Sequence, residues 1–341
     1  SGAVQHALEL ANGYLLERGI TSASDANTGS DMVAQYAEAT GSGRLQVRVN
    51  LMVGWAGIVK RSGRELPGPQ DLQPSRAGVS HHQLHVGQAK LFADGAITTR
   101  TCWLSAPFDG EPENVGMPIH EPGKLQELIS LAHNAGWQLA VHAIGDRAIE
   151  QTLKCFAEAQ RLRTRANPGH RIEHCMLLND ELISRLRRQN VWSIGQPEFL
   201  CRLGDGYISA LGQQRAAELS PYKTLEERGI AQAFSSDCPV VPGSPLDGIR
   251  AAMLRTAPSG KVLNAGQAIS AETALRLYTS APAFATRSDK DRGSIEPGKW
   301  GDFTVLSSDP LTSALDDWDS IRVTATFVGG KCLYGADALA W

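Results

Sequence analysis

The stretch LAVHAIGDRA, residues 139–148, contains a strand, a turn and the start of a helix. The apolar run Leu139–Val141 is typical of a strand that is buried on both faces of a parallel sheet. The run ends at His142, and a glycine-containing turn follows before Asp146 and Arg147 open a helical pattern. A strand that leads directly into a helix is the repeating unit of α/β folds, so the stretch predicts that class.

The same alternation extends along most of the chain. Apolar residues at helical spacing predict helices over 3–19, 121–137 and 179–190. Strands that alternate with helices predict a parallel sheet, and the length suits a TIM-like (β/α)8 barrel with an appendage. Such a barrel has eight strands, whereas this chain starts with a helical pattern, so we expect the first strand to be absent from it. The predicted strands cover 19–26, 46–53, 89–95, 138–145, 171–178, 191–197 and 231–239.

The sequence texture changes after residue 287. Short strand-like segments at 292–310 and 321–335 are joined by Gly/Pro turns. We therefore predict two regions: a (β/α) barrel over 1–287, and part of a small β-sandwich domain over 288–341. A Pro/Gly-rich stretch at 64–78 is predicted to be a loop over the mouth or the side of the barrel.

The composition excludes several classes of partner. The formal net charge is −3 and the pI is about 6.3, with no basic stripe, which argues against nucleic acid. The sequence contains neither a lysine cluster nor a long apolar run, so it gives no indication of membrane binding. The six cysteines form no C-x-x-C pair, which is typical of free thiols in a reducing compartment, so we predict a cytoplasmic protein.

Polar residues stand near the carboxyl ends of the predicted strands, where the active site of an α/β barrel lies. Imidazole and carboxylate groups are good ligands for zinc, iron or manganese, so a metal site is the functional hypothesis for this rim. The structural alternative is that the histidines make hydrogen bonds within the fold and that the lysine forms an ion pair. The residues concerned are Asp25, Lys90, Asp94, His142, His174, Gln196 and Asp237.

Six segments, taken in order, resemble the amidohydrolase superfamily of metal-dependent hydrolases, and in particular its YtcJ-like branch, which includes N-substituted formamide deformylases. The resemblance implies a TIM-like barrel with a small β-sandwich built from both chain ends. It also implies hydrolysis of a C–N bond in a small amide-type or formamide-type substrate. The segments are KLFADGAITTRT (90–101), VHAIGDRAI (141–149), RIEHC (171–175), GQPEF (195–199), SSDCPV (235–240) and GSIEPGKWGDFTVL (293–306).

The resemblance also implies roles for individual residues. Lys90 would be a carboxylated lysine that bridges two metals, and His142 and His174 would hold the more exposed metal. Asp237 would bind the other metal and act as the general base. The expected ion is divalent, zinc first, with iron or manganese as alternatives. The family's His-x-His pair is absent from this sequence, so one or two ions are expected, with a two-metal centre the less favoured.

Five more residues are expected around the metal. Glu173 and Asp146 are candidates to orient the ligands, with helix capping or ion pairing as the equal alternative. Asp94, Arg100 and Gln196 are candidates to touch the substrate, with structural hydrogen bonds as the alternative.

Two other functions stay open at this point. The chain could be a non-catalytic barrel that binds a small molecule or acts as a regulator, because the His-x-His pair is missing. It could also be a metal-free enzyme that uses Lys90 to form a Schiff base. A homodimer is expected for this architecture.

Overall fold

The computed structural model describes residues 2–60, 66–74 and 79–339. The chain divides into two compact units, Ser1–Lys90 with Thr286–Trp341, and Leu91–Ala285. The predicted boundary after residue 287 stays a prediction. The predicted loop at 64–78 lies partly outside the described residues.

The first unit begins with a parallel arrangement of strands. Strand β1 pairs with β2, and β2 pairs with β3, in each case parallel. Strand β2 is buried along its whole length, as its position between two neighbours requires. A buried amide pair crosses these strands, since Asn50 Nδ2 donates to Gln88 Oε1 at 2.7 Å. The elements are α1 (Gly2–Glu17), β1 (Ser22–Thr28), α2 (Met32–Gly41), β2 (Arg48–Gly54), α3 (Trp55–Lys60) and β3 (Leu84–Phe92).

The second unit continues the alternation of strands and helices. Strands β4, β5, β6 and β7 pair in that order, all parallel. Leu139, Ala140 and Val141 are completely buried in β4, as the apolar run predicts. The elements are α4 (Lys124–Asn134), β4 (Gln138–Ala143), α5 (Asp146–Leu162), β5 (Arg171–His174), α6 (Asp180–Gln189), β6 (Trp192–Gly195), α7 (Glu198–Ala217), α8 (Tyr222–Glu227), β7 (Gln232–Phe234), α9 (Pro245–Leu254), α10 (Ala271–Tyr278) and α11 (Ser280–Ala285).

The C-terminal strands belong to the first unit. β8 (Phe303–Leu306), β9 (Val323–Val328) and β10 (Lys331–Tyr334) form an antiparallel sheet with β9 in the centre. A buried ion pair joins this region to β2, with Arg48 Nε 2.5 Å from Asp302 Oδ2. The predicted α/β class with parallel strands and a small C-terminal sheet is therefore confirmed.

Helix length and polarity also bear on membrane insertion. Within the described part of the chain, none of the helices combines the length and the apolar character that crossing a bilayer requires.

Candidate metal site at the strand ends

His142 lies one residue before the end of β4 and faces the loop that follows β3. Its Nε2 lies 3.0 Å from the carbonyl oxygen of Gly95. The backbone holds the same two segments together, because the Ala93 N–H donates to the His142 carbonyl at 2.8 Å. The ring is therefore fixed at both its side chain and its backbone.

His174 ends β5 in an unusual backbone conformation. In the strand register, His142 stands opposite Glu173, and Ala143 stands opposite His174. Neighbours in register share a face of the sheet, so a regular strand would turn His174 away from His142. Instead His174 has a φ of +72°, and its ring centroid lies 4.5 Å from that of His142. The departure from strand geometry thus coincides with the approach of the two imidazoles.

The neighbours of the two rings indicate which nitrogen of each carries the proton. A carbonyl oxygen only accepts, so His142 donates from Nε2 to Gly95, and in the neutral ring the lone pair is on Nδ1. His174 Nδ1 lies 2.8 Å from Gln196 Oε1, which also only accepts, so its lone pair is on Nε2. Each imidazole is thus held in one tautomer.

Asp94 lies beside the His142 ring and is almost completely buried. Its carboxylate accepts backbone N–H groups from Trp103 at 2.9 Å, Ile144 at 3.0 Å and Gly145 at 2.9 Å. Burial raises the pKa of this carboxyl to about 6, against the opposing effect of the three hydrogen bonds. Oδ1 also lies 3.5 Å from His142 Nε2. In this structure Asp94 joins the loop after β3 to the turn after β4.

The two remaining predicted ligands have different surroundings. Lys90 is buried in β3, opposite Gly54 of β2, and belongs to the first unit. Asp237 is exposed in the loop that follows β7, with a φ of +58°. Burial raises the pKa of Tyr207, and the charge of Asp237 is one of the smaller contributions to this increase.

Three other predicted site residues make internal bonds. Glu173 forms a buried two-point ion pair with Arg171, at 2.5 and 2.9 Å. Asp146 accepts the Ser105 N–H at 2.9 Å at the start of α5. Arg100 donates to Glu111 Oε1 at 2.8 Å and to backbone carbonyls of two further residues. Their roles towards metal or substrate stay predictions.

Sequence reasoning did not assign a role to three residues that contact His174, Gln196 or the loop after β7. Phe199 stacks on the His174 ring at a centroid distance of 6.0 Å. Glu198 is buried and accepts the Gly243 N–H at 3.0 Å, which ties α7 to the loop after β7. Ser235 bonds Gln196 at 2.9 Å. All three lie in the segments GQPEF and SSDCPV that carry the resemblance. Membership of these segments was the one feature of the sequence that could have pointed to them.

The nitrogen atoms of the imidazole pair are chemically suitable ligands for a divalent metal ion. Neutral imidazoles with one lone-pair nitrogen each are common ligands of zinc and iron. Over residues 2–60, 66–74 and 79–339, however, no group of three or more His, Cys, Asp or Glu side chains is arranged to hold a metal. The donor types and tautomers of the two histidines therefore fit a metal ion, and their role as its ligands stays a prediction.

Comparison with known proteins identifies relatives along most of the chain. A family model described as "Amidohydrolase family" matches residues 1–334. The putative amidohydrolase YtcJ of Bacillus subtilis is 31% identical over 303 residues, 88% of this chain. Protein LONG AFTER FAR-RED 3 of Arabidopsis thaliana is 28% identical over 97% of this chain. The N-substituted formamide deformylase of Arthrobacter pascens is 26% identical over 95% of it.

A solved structure shares the fold. The crystal structure of an uncharacterized metal-dependent hydrolase from Pyrococcus furiosus superimposes with a TM-score of 0.76 at 29% identity, over 90% of this chain and 60% of that one. The chain spans 54% to 58% of the length of the three relatives named above.

Proposed function

The chain belongs to the amidohydrolase family, and on that premise we propose that it acts as a metal-dependent hydrolase of C–N bonds. The substrate class that we propose is a small amide or an N-substituted formamide. The observation that carries the proposal is the imidazole pair of His142 and His174, whose rings lie 4.5 Å apart at the ends of neighbouring strands. The name of the Arthrobacter relative supports the formamide class.

His142 through Nδ1 and His174 through Nε2 would hold the metal. When bound, a divalent cation such as zinc, iron or manganese polarises a carbonyl group and lowers the pKa of a coordinated water. Lys90 and Asp237 are the further ligands that the family resemblance suggests, and for the carboxylated form of Lys90 that resemblance is the sole support.

Asp237 would move the proton. Its carboxylate takes a proton from the attacking water and delivers it to the leaving nitrogen, because an amine leaves far more readily than its anion. The exposed position of Asp237 after β7 gives water and substrate access to this group. A cytoplasmic location and a homodimer remain predictions from the sequence.

The test combines metal binding with hydrolysis. The protein is loaded with Zn²⁺, Mn²⁺ or Fe²⁺, and amine release is followed from N-substituted formamides and simple amides. We expect bound metal and turnover, both lost in the double variant His142→Ala/His174→Ala. The exposed His6→Ala is the matched control and should keep both. Unchanged turnover in the double variant, or no metal uptake by the parent protein, would overturn the proposal.

A second candidate function is a non-catalytic barrel that binds a small molecule or regulates a partner. The observation in its favour is that no His-x-His triplet occurs in the 341 residues. Metal-loaded protein that binds amides without hydrolysing any of them would favour this second function.

A further inference from the structure

We propose that Gln196 is a positioning residue that fixes the tautomer of His174 and thereby aims Nε2 of that ring at the metal. The metal rests on the function proposed above, whereas the tautomer is a property of the metal-free protein. The two parts can therefore be tested separately.

Gln196 is buried and makes three hydrogen bonds through its side chain. Its Oε1 accepts from His174 Nδ1 at 2.8 Å. Its Nε2 donates to the Ile194 carbonyl at 3.1 Å and to Ser235 Oγ at 2.9 Å. The amide thus links the end of β5 to the loop that follows β7.

The carbonyl of Ile194 decides the orientation of the Gln196 amide. If the amide oxygen and nitrogen exchanged places, Oε1 would face the Ile194 oxygen, and two acceptors would oppose each other. The amide nitrogen would then face His174 Nδ1 and would require the other tautomer of the ring. Ser235 can donate or accept, so it supports either orientation. The fixed backbone carbonyl therefore selects the amide orientation, and the amide selects the tautomer.

The position of the His174 ring is restrained as well. Phe199 stacks against one of its faces at an interplanar angle of 16°. Left-handed backbone at a non-glycine residue costs free energy and persists only where its surroundings impose it. Since ring plane, tautomer and backbone are all restrained, Nε2 keeps one direction before any ligand binds.

Outer partners of ligand histidines set how well the ligand binds. Removing such a partner typically weakens metal affinity 10–100-fold, roughly. We therefore expect Gln196→Met, which matches the shape of glutamine but lacks its acceptor, to raise the Zn²⁺ dissociation constant by about 10–100-fold. Gln196→Glu keeps an acceptor against Nδ1 but sets its second oxygen against the Ile194 carbonyl, so its dissociation constant should lie between those of the parent protein and Gln196→Met.

The decisive readout is the tautomer in the metal-free state. Protein labelled with ¹⁵N-histidine is compared at pH 8, and the His174 signals are assigned by their loss in His174→Gln. We expect Nδ1–H alone in the parent protein and in Gln196→Glu, and a mixture with Nε2–H in Gln196→Met. Urea unfolding shows that each variant is folded under the conditions used.

Two results would overturn the inference. One is an Nε2–H tautomer of His174 in the parent protein. The other is an unchanged tautomer in folded Gln196→Met. If the parent protein takes up no Zn²⁺, the proposed function fails, and the ¹⁵N spectra still decide the role of Gln196.

Discussion

Nδ1 of His133 lies 2.9 Å from Nε2 of His170, and the neighbours of the two rings determine where their protons are. The Leu139 N–H donates to His170 Nδ1 at 3.1 Å, so His170 carries its proton on Nε2 and donates it to His133. His133 Nε2 in turn donates to the Arg163 carbonyl at 2.7 Å. An added proton on His133 would place two N–H groups against each other, so the folded state holds this pair neutral.

Acid should therefore destabilise the protein through His133. Burial chiefly, with the charges of Arg165 and Arg163, lowers the pKa of His133 below 6.5. The unfolded chain then binds the extra proton first, so stability is complete above about pH 6.5 and falls as the pH drops below it. The slope is at most about 1.4 kcal/mol per pH unit for each proton. Urea midpoints at pH 8 and pH 5.5 measure the loss.

A matched pair of variants assigns this effect. His133→Asn keeps an acceptor for His170 but cannot titrate, so it should lose part of the acid sensitivity. His6→Asn changes an exposed histidine of α1 and should keep it. Equal acid sensitivity in His133→Asn and the parent protein would contradict the assignment.

The left-handed backbone of His174 predicts an inverted preference between glycine and alanine. Both His174→Gly and His174→Ala remove the ring and should abolish metal binding. At a φ of +72°, however, glycine avoids a penalty of about 1–2 kcal/mol that alanine keeps, so the glycine variant should be the more stable. His142, inside β4, is the control, because glycine there should be less stable than alanine by about 0.5–1 kcal/mol. If glycine and alanine variants had the same order of stability at positions 174 and 142, the left-handed backbone of His174 would not be the cause.

Both oxygens of the Asp94 carboxylate accept hydrogen bonds, so we expect the stability of the protein to depend on both of them. Asp94→Asn replaces an oxygen by an N–H₂ group that must face at least one of three backbone donors. We expect a loss of about 1–3 kcal/mol in the free energy of unfolding. Asp180→Asn, whose side chain is 84% exposed in its pair with Arg228, should cost less than about 1 kcal/mol. Similar losses in the two variants would argue against a structural role for Asp94.

Arg255 should be among the side chains whose loss costs most. It is completely buried, and it donates to the carbonyls of Leu219 at 2.7 Å, Ser220 at 2.9 Å and Leu263 at 2.7 Å. Burial lowers its pKa to about 10, so the guanidinium is still charged at neutral pH. Arg255→Met would leave several buried carbonyls without donors and should cost about 2–5 kcal/mol in urea unfolding. Arg276→Met, which breaks an exposed pair with Glu226, should cost at most about 1 kcal/mol.

The elements of the fold that the sequence predicts well are those that depend on neighbouring residues. The helix predicted over 179–190 is α6 at Asp180–Gln189, because its apolar spacing and the Asn179 cap are properties of adjacent residues. Strand β3 was predicted to start at 89 but starts at Leu84. Its first five residues include the polar Gln88, which is buried and accepts a hydrogen bond from Asn50 of β2. Such a partner cannot be read from the segment itself.

The candidate site likewise has features that the sequence predicts and features that it does not. His142 and His174 could be proposed because strand ends share one rim. The tautomer of His174 depends on its bond to Gln196, which lies 22 positions away and itself bonds Ser235 a further 39 positions along. The three donors to Asp94 likewise come from two separate loops. These details arise only once the chain is folded.

The anchoring of Trp103 and Gly145 by the Asp94 carboxylate has a steric consequence. A Cβ at Gly145 would lie 2.0 Å from the Trp103 carbonyl oxygen, so the two backbones meet with no room for a side chain. The loop that leaves this junction therefore starts from a fixed point close to His142 in the chain, and a side chain at position 145 would have to displace the Trp103 backbone.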